Sequence, residues 1–181
     1  MLVAFGHRKQ VGKDTAGAYI NQMFARSRKI GFAEPIYRIA QEIYAPVGFK
    51  RKLDYERTPG LKEKKLSNGI SPRKILLEIG RNMRAIDPDT WVRLALDGLE
   101  LKFGEHVLIT DLRFPNEFKA VRDAGGICIK INRNLPNTDD PADSALAEET
   151  NWDDELDNNG SMKDFQHTIF EKVVRRMEKH G

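Results

Sequence analysis

The sequence predicts an α/β fold: a central, mostly parallel sheet with helices on both faces. Three observations predict it. Short apolar runs alternate with stretches of helical periodicity, as parallel strands joined by crossover helices require. The run His106-Val107-Leu108-Ile109-Thr110 is nearly continuously apolar, the pattern of a strand covered on both faces. The chain opens with an apolar run, a Gly-containing basic turn and a helical stretch, in that order.

That opening organises the rest. Leu2-Val3-Ala4-Phe5 reads as the first strand, residues 6–15 as the turn and residues 16–26 as the helix. Such a turn suits an anion, because a helix N-terminus offers unpaired N–H groups and partial positive charge. Gly12 lets the backbone approach a phosphate, and Lys13 can reach the outer phosphates as a point charge. The usual spacing is G-x-x-x-x-G-K-[ST]. Here five residues separate Gly6 from Gly12, and His7 stands in the place of the first glycine. Either the loop is one residue longer or His7 tolerates the glycine geometry. Asp14 follows Lys13, and Thr15 comes one place late. Lys13 is expected on a surface loop, so that Lys13→Ala leaves the fold intact.

With 181 residues the chain can bury a sizeable core and reads as one domain. The net charge of +3 is too mild for a nucleic-acid coat, and basic and aromatic residues are not interleaved along one face. Charge is uneven, with a basic stretch at 50–65 and an acidic one at 139–157. The single cysteine, Cys128, excludes a disulfide within the chain and fits a reducing compartment. Its place in Ile127-Cys128-Ile129-Lys130-Ile131 makes it a core residue. No apolar run is long enough to span a membrane and no signal-peptide pattern opens the chain, so a cytoplasmic location is expected.

In the first helix Ile20, Met23 and Phe24 form the core-facing stripe. Residues 29–33 read as a second strand, ended by Glu34-Pro35. Pro35 suits the first turn of a helix to about Tyr44, with Ile36, Ile39, Ala40 and Ile43 on its apolar side. Residues 46–66 lack a sustained period and read as a mobile, partly helical insertion in which Phe49 and Tyr55 can pack locally. Ser71-Pro72 starts a helix buried through Ile75, Leu76 and Ile79, with Arg73, Arg81 and Arg84 on or near it. Asp87-Pro88 repeats the start signal for a helix carrying Trp91, Leu94, Ala95 and Leu99, expected to stop near Gly104.

After the strand at 106–110 a helix runs to Ala124, where Gly125-Gly126 stops it. Residues 127–131 are the next strand and 134–151 a long polar, acidic loop. Glu155-Leu156-Asp157 reads as the last strand. Ser161-Met162-Lys163-Asp164 resembles a capping box opening a terminal helix with Phe165, Ile169, Val173 and Met177 at every fourth place.

Parallel sheets bind ligands beyond the carboxyl ends of their strands. That rule selects the loop at residues 6–15, the turn Asp111-Leu112-Arg113-Phe114-Pro115-Asn116-Glu117, and the exit at Asn132-Arg133. There Lys13, with Arg8, Lys9, Gly12, Asp14, Thr15 and the loop amides, would bind the phosphates of a nucleotide. Asp111 and Thr15 would hold Mg²⁺, directly or through water, since Mg²⁺ keeps several waters and takes one or two carboxylates. Arg113 and Arg133 would neutralise the phosphoryl charge, in a reaction that rests on positioning and electrostatics. Lys13, Asp111 and Arg113 are the catalytic candidates. Asp111 could instead merely cap the helix that follows it. His7, His106, His167 and His180 lack metal-ligand spacing.

These residues also carry a resemblance. Gly12-Lys13-Asp14-Thr15 resembles the phosphate loop of phage-type deoxynucleoside monophosphate kinases, a P-loop nucleoside monophosphate kinase-like family. Phe32-Ala33-Glu34-Pro35, Ile86-Asp87-Pro88-Asp89-Thr90-Trp91-Val92, the turn at 111–117 and Leu156-Asp157-Asn158-Asn159-Gly160-Ser161 are similar to further blocks of that family, in the same order. The last is also similar to a segment of dephospho-coenzyme A kinases. The resemblance implies a three-layer P-loop kinase fold that transfers the γ-phosphoryl of ATP to a deoxynucleoside monophosphate. It implies a substrate-binding insertion at about 36–103, with Arg81, Arg84, Asp87, Trp91 and Arg113 on the acceptor side, and a lid-like loop at about 134–151. Another small-metabolite kinase acting on dephospho-coenzyme A, or a nucleotide-binding protein without catalysis, are the alternatives. The bases accepted and the oligomeric state stay open, a homodimer among the options.

Overall fold

The computed structural model describes residues 1–136 and 140–179. Five strands form one parallel sheet in the order β2-β3-β1-β4-β5. They are β1 (Leu2–Gly6), β2 (Ser27–Ile30), β3 (His106–Ile109), β4 (Ile127–Asn132) and β5 (Asp154–Asp157). β1 is central and buried at every position, which is why its sequence is apolar without alternation. β2 begins two residues earlier than expected, because the edge strand registers Ser27 against His106 and Ile30 against Ile109.

Helices cover both faces. On one, α1 (Lys13–Met23) and α8 (Met162–Ile169) pack on Val3, Phe5, Leu108, Ile129 and Ile131. On the other lies α6 (Pro115–Asp123): a Cβ on Gly126 would meet Val121 at 2.8 Å and Leu2 at 2.9 Å. α1 starts at Lys13 rather than Ala16 and ends three residues earlier than expected. Cys128 is fully buried, and burial pushes its thiol up to about 12, as expected of a core cysteine.

The terminal helix contains a finding that its sequence hid. Phe165, Ile169, Val173 and Met177 are all buried. On a regular α-helix a strict four-residue repeat drifts around the axis by roughly 40° per step. Residues Phe170–Val174 form a wider, π-helical turn, followed by α9 (Arg175–Glu178), and that turn absorbs the drift.

The chain divides into two compact units, Met1–Gly31 with Gly98–Gly181, and Phe32–Asp97. The first holds the sheet. The second contains α2 (Glu34–Tyr44), α3 (Lys52–Arg57), α4 (Pro72–Ile86) and α5 (Thr90–Leu96) around Tyr37, Ala40, Phe49, Tyr55 and Ile75. Phe49 and Tyr55 do pack together, with ring centres 5.2 Å apart. Ser71 caps α4 through the Lys74 N–H, as its sequence predicts. α5 stops at Leu96, well before Gly104, because Gly98 takes the left-handed backbone (φ 73°) that terminates helices. Leu99 therefore lies outside the helix. The polar loop at 134–151 contains a short helix, α7 (Pro141–Ser144), while its residues 137–139 fall outside the described residues. Among the described residues no helix is long and apolar enough to cross a membrane.

Candidate phosphate-binding site

β1 lies between β3 and β4, and all three run parallel, so their carboxyl ends open side by side. Gly6–Thr15, Asp111–Arg113 and Asn132–Arg133 leave those ends, as the sequence predicts. The loop after β1 needs unusual backbone. Gly12 has φ 108°, and a Cβ there would stand 2.5 Å from Asn158 Nδ2 and 3.2 Å from Phe165, so only glycine fits. His7 has φ 86° and Gln10 φ 61°. His7 therefore adopts the glycine-like geometry itself, a local strain typical of ligand-binding loops.

Lys13 is the first residue of α1 and is 6% exposed, which corrects its expected place on a surface loop. Its Nζ donates to the carbonyls of His7 at 2.8 Å and Arg8 at 2.5 Å. Burial, and then the Arg113 guanidinium, lower its pKa to about 7, against the opposing pull of Asp111, Asp14 and Asp143. An ammonium so poorly solvated is stabilised by any anion that enters. Burial, together with the cations of Lys130, Lys13 and Arg8, also lowers His7, whose Nδ1 lies 3.4 Å from the Ile131 carbonyl.

The other loop residues have definite partners. Arg8 donates to the carbonyls of Leu135 and Pro136. Arg133 donates to the Gln10 carbonyl at 3.3 Å. Asp14 was expected among the phosphate ligands; its carboxylate is instead engaged by Lys29 at 2.5 Å and the Thr110 hydroxyl at 2.7 Å, tying α1 to β2 and the end of β3. Burial opposes the charge on Asp14, but those two hydrogen bonds hold its pKa below the ordinary value. A helix start of this kind presents backbone N–H groups that suit an anion.

Glu117, 2% exposed, secures the start of α6: it accepts the backbone N–H of Arg113 at 2.9 Å and of Phe114 at 3.1 Å. Asp111 packs against Gly31, where a Cβ would come within 2.7 Å of its Oδ2. With Thr15 in the first turn of α1, it offers one carboxylate and one hydroxyl. Among the described residues no group of three or more His, Cys, Asp or Glu could hold a metal. A sparse oxygen set fits Mg²⁺ carried in by phosphates and water, and would not fit zinc.

Two residues at the site were not singled out from sequence. Asn158 donates its side-chain amide to the Val11 carbonyl at 2.7 Å. It lies in Leu156-Asp157-Asn158-Asn159-Gly160-Ser161, whose polar run after a strand is the available signal. Asp143, on α7, accepts the Lys9 backbone N–H at 2.8 Å and pairs with Arg113 at 3.7 Å. Nothing in its acidic surroundings distinguished it.

Arg81, Arg84, Asp87 and Trp91 belong to the second unit. Trp91 is 1% exposed and donates its indole N–H to the Gly80 carbonyl at 3.1 Å, so it is a core residue that positions α4 against α5. Arg84 donates to the same carbonyl at 3.2 Å. Asp87 accepts from the Thr90 hydroxyl and the Asp89 N–H, both at 3.1 Å, and pairs with Arg93, which secures the start of α5. Arg81 is exposed on α4.

A curated protein of Acanthamoeba polyphaga mimivirus, described as a putative deoxynucleotide monophosphate kinase, is 26% identical over 197 aligned residues, covering 96% of each chain. No family model matches this chain. Among solved structures, a dephospho-CoA kinase from Campylobacter jejuni is 13% identical, covers 100% of each chain and has a TM-score of 0.42. The five-stranded parallel sheet and the strand–loop–helix opening of this chain are the α/β architecture that its sequence predicts.

Proposed function

We propose that the chain is an ATP-dependent kinase that transfers the γ-phosphoryl group to a deoxynucleoside monophosphate, yielding ADP and the diphosphate. One observation carries the reading: a buried, poorly solvated Lys13 at a helix N-terminus, in a strained loop flanked by Asp111, Arg113 and Arg133. The whole-length similarity to the mimiviral protein supports the acceptor class. Lys13 and the loop amides bind the outer phosphates, assisted by Arg8, Lys9 and Arg133. Arg113 neutralises the group in transfer. Asp111 and Thr15 would hold Mg²⁺, which when bound supplies charge neutralisation at the phosphate oxygens. Arg81, Arg84 and Asp87 serve the acceptor side, with Trp91 acting through the packing of their helices. The substrates are those of a cytoplasmic enzyme.

The test is a coupled ADP-release assay with ATP, Mg²⁺ and a panel of acceptors: the four common deoxynucleoside monophosphates, their ribose forms and dephospho-coenzyme A. Turnover with deoxynucleoside monophosphates is expected. Turnover only with dephospho-coenzyme A would move the acceptor, and ATP binding without turnover on any acceptor would refute the catalytic reading.

A further inference from the structure

We propose that Asp143 is a resident anion that holds the ligand-free phosphate loop in shape, and that nucleotide phosphate takes its place on Lys9 and Arg113. The inference rests on the phosphate-loop reading above. Asp143 comes from α7, outside every block that pointed to the site. Its side chain is 3% exposed. Oδ1 accepts the Lys9 backbone N–H at 2.8 Å and lies 3.7 Å from Arg113, and Oδ2 lies 3.5 Å from Lys9 Nζ. A loop amide, an ammonium and a guanidinium form the donor set that a phosphate oxygen uses.

A carboxylate this deeply buried persists because those donors offset its desolvation. A polyphosphate brought to the same donors meets a like charge a few ångströms away, where low dielectric strengthens repulsion. The two anions compete. Lys9 can change partners at small cost: its side chain is 37% exposed and already also reaches Asp140 at 3.7 Å. Asp143 is thus a positioning residue. It keeps the loop formed, with His7 and Gln10 in their left-handed backbone, at some expense in nucleotide affinity.

The test compares wild type with Asp143→Asn, using ADP with Mg²⁺ in calorimetric titrations and thermal melts at fixed ionic strength. The free variant should melt lower, because Lys9 and Arg113 lose their counter-charge. It should bind ADP roughly three- to tenfold more tightly, and ADP should raise its Tm by more than it raises that of wild type. A purely structural role would lower the free and bound melting points alike. An unchanged or weaker ADP affinity in a folded variant, with wild type binding ADP, overturns this inference alone. Failure of wild type to bind ADP overturns it together with the phosphate-loop reading. Should Asp143→Asn not fold, the Asp143 carboxyl carbon resonance of wild type decides: exchange moves it towards the exposed value on adding ADP, and an unmoved resonance refutes exchange.

Discussion

Asn158 donates its side-chain amide to the carbonyl of Val11 at 2.7 Å, and so fastens the phosphate loop to the segment that leaves β5. Asn158 is itself held, its backbone N–H donating to the Asn132 carbonyl at 2.8 Å. The loop is thereby tied to the ends of two strands.

Asn158→Ala should take from the carbonyl of the buried Val11 its side-chain partner. The expected destabilisation is about 1–3 kcal/mol, read by urea unfolding, with a parallel loss of ADP affinity. A variant as stable as wild type with unchanged affinity would show that the loop holds its shape without this bond.

Gly12→Ala should be more damaging to binding than to folding. The new Cβ meets Asn158 and Phe165, and φ 108° is strained for any L side chain. Nucleotide affinity should fall by at least tenfold, roughly 1.4 kcal/mol, as calorimetry would reveal. Near-normal binding would mean that the loop reaches its ligand-bound form without a left-handed residue 12.

Lys13 links binding to pH. In the ligand-free protein its pKa is lowered from 10.5 to about 7, so at pH 8 it is largely neutral. Phosphate favours the ammonium and raises that pKa. ADP binding at pH 8 should therefore take up close to one proton, and affinity should weaken as pH rises above 7. Titrations in buffers of different ionisation enthalpy measure the uptake, and Lys13→Met should abolish both uptake and turnover. The same shift has a sign for folding. Between the folded and unfolded values the unfolded chain holds the extra proton, so this group's penalty on stability is relieved as pH rises through that window.

His106 should make the fold acid-sensitive. It is 2% exposed at the start of β3, edge-on to Phe24, and among the described residues its Nδ1 has no hydrogen-bond partner. Burial, and then the Met1 ammonium, lower its pKa below 6.5. With the folded value below the unfolded one, the unfolded chain gains the proton first, and stability falls as pH drops through 6.5. The loss in urea midpoint between pH 7.5 and 5.5 should be smaller in His106→Leu than in wild type. Equal losses would assign the acid sensitivity to other groups.

Periodicity and stop signals carried most of the fold. β1, β3 and β4 were legible because a strand covered on both faces must be apolar throughout. α4 and α8 were legible because a serine cap satisfies helix N–H groups within a few residues of sequence. The carboxyl-end rule then gathered Lys13, Asp111, Arg113 and Arg133, since parallel strand order leaves those ends adjacent. Three things required tertiary structure. The burial of Lys13 and the pairing of Asp143 with Lys9 and Arg113 depend on which loop covers the site, and local sequence does not encode that choice. The end of α5 at Leu96 turned on Gly98 adopting a left-handed backbone, one of several conformations open to glycine. The π-helical turn at Phe170–Val174 answers a mismatch between a four-residue repeat and the helical pitch, resolved only when all four side chains reach one core.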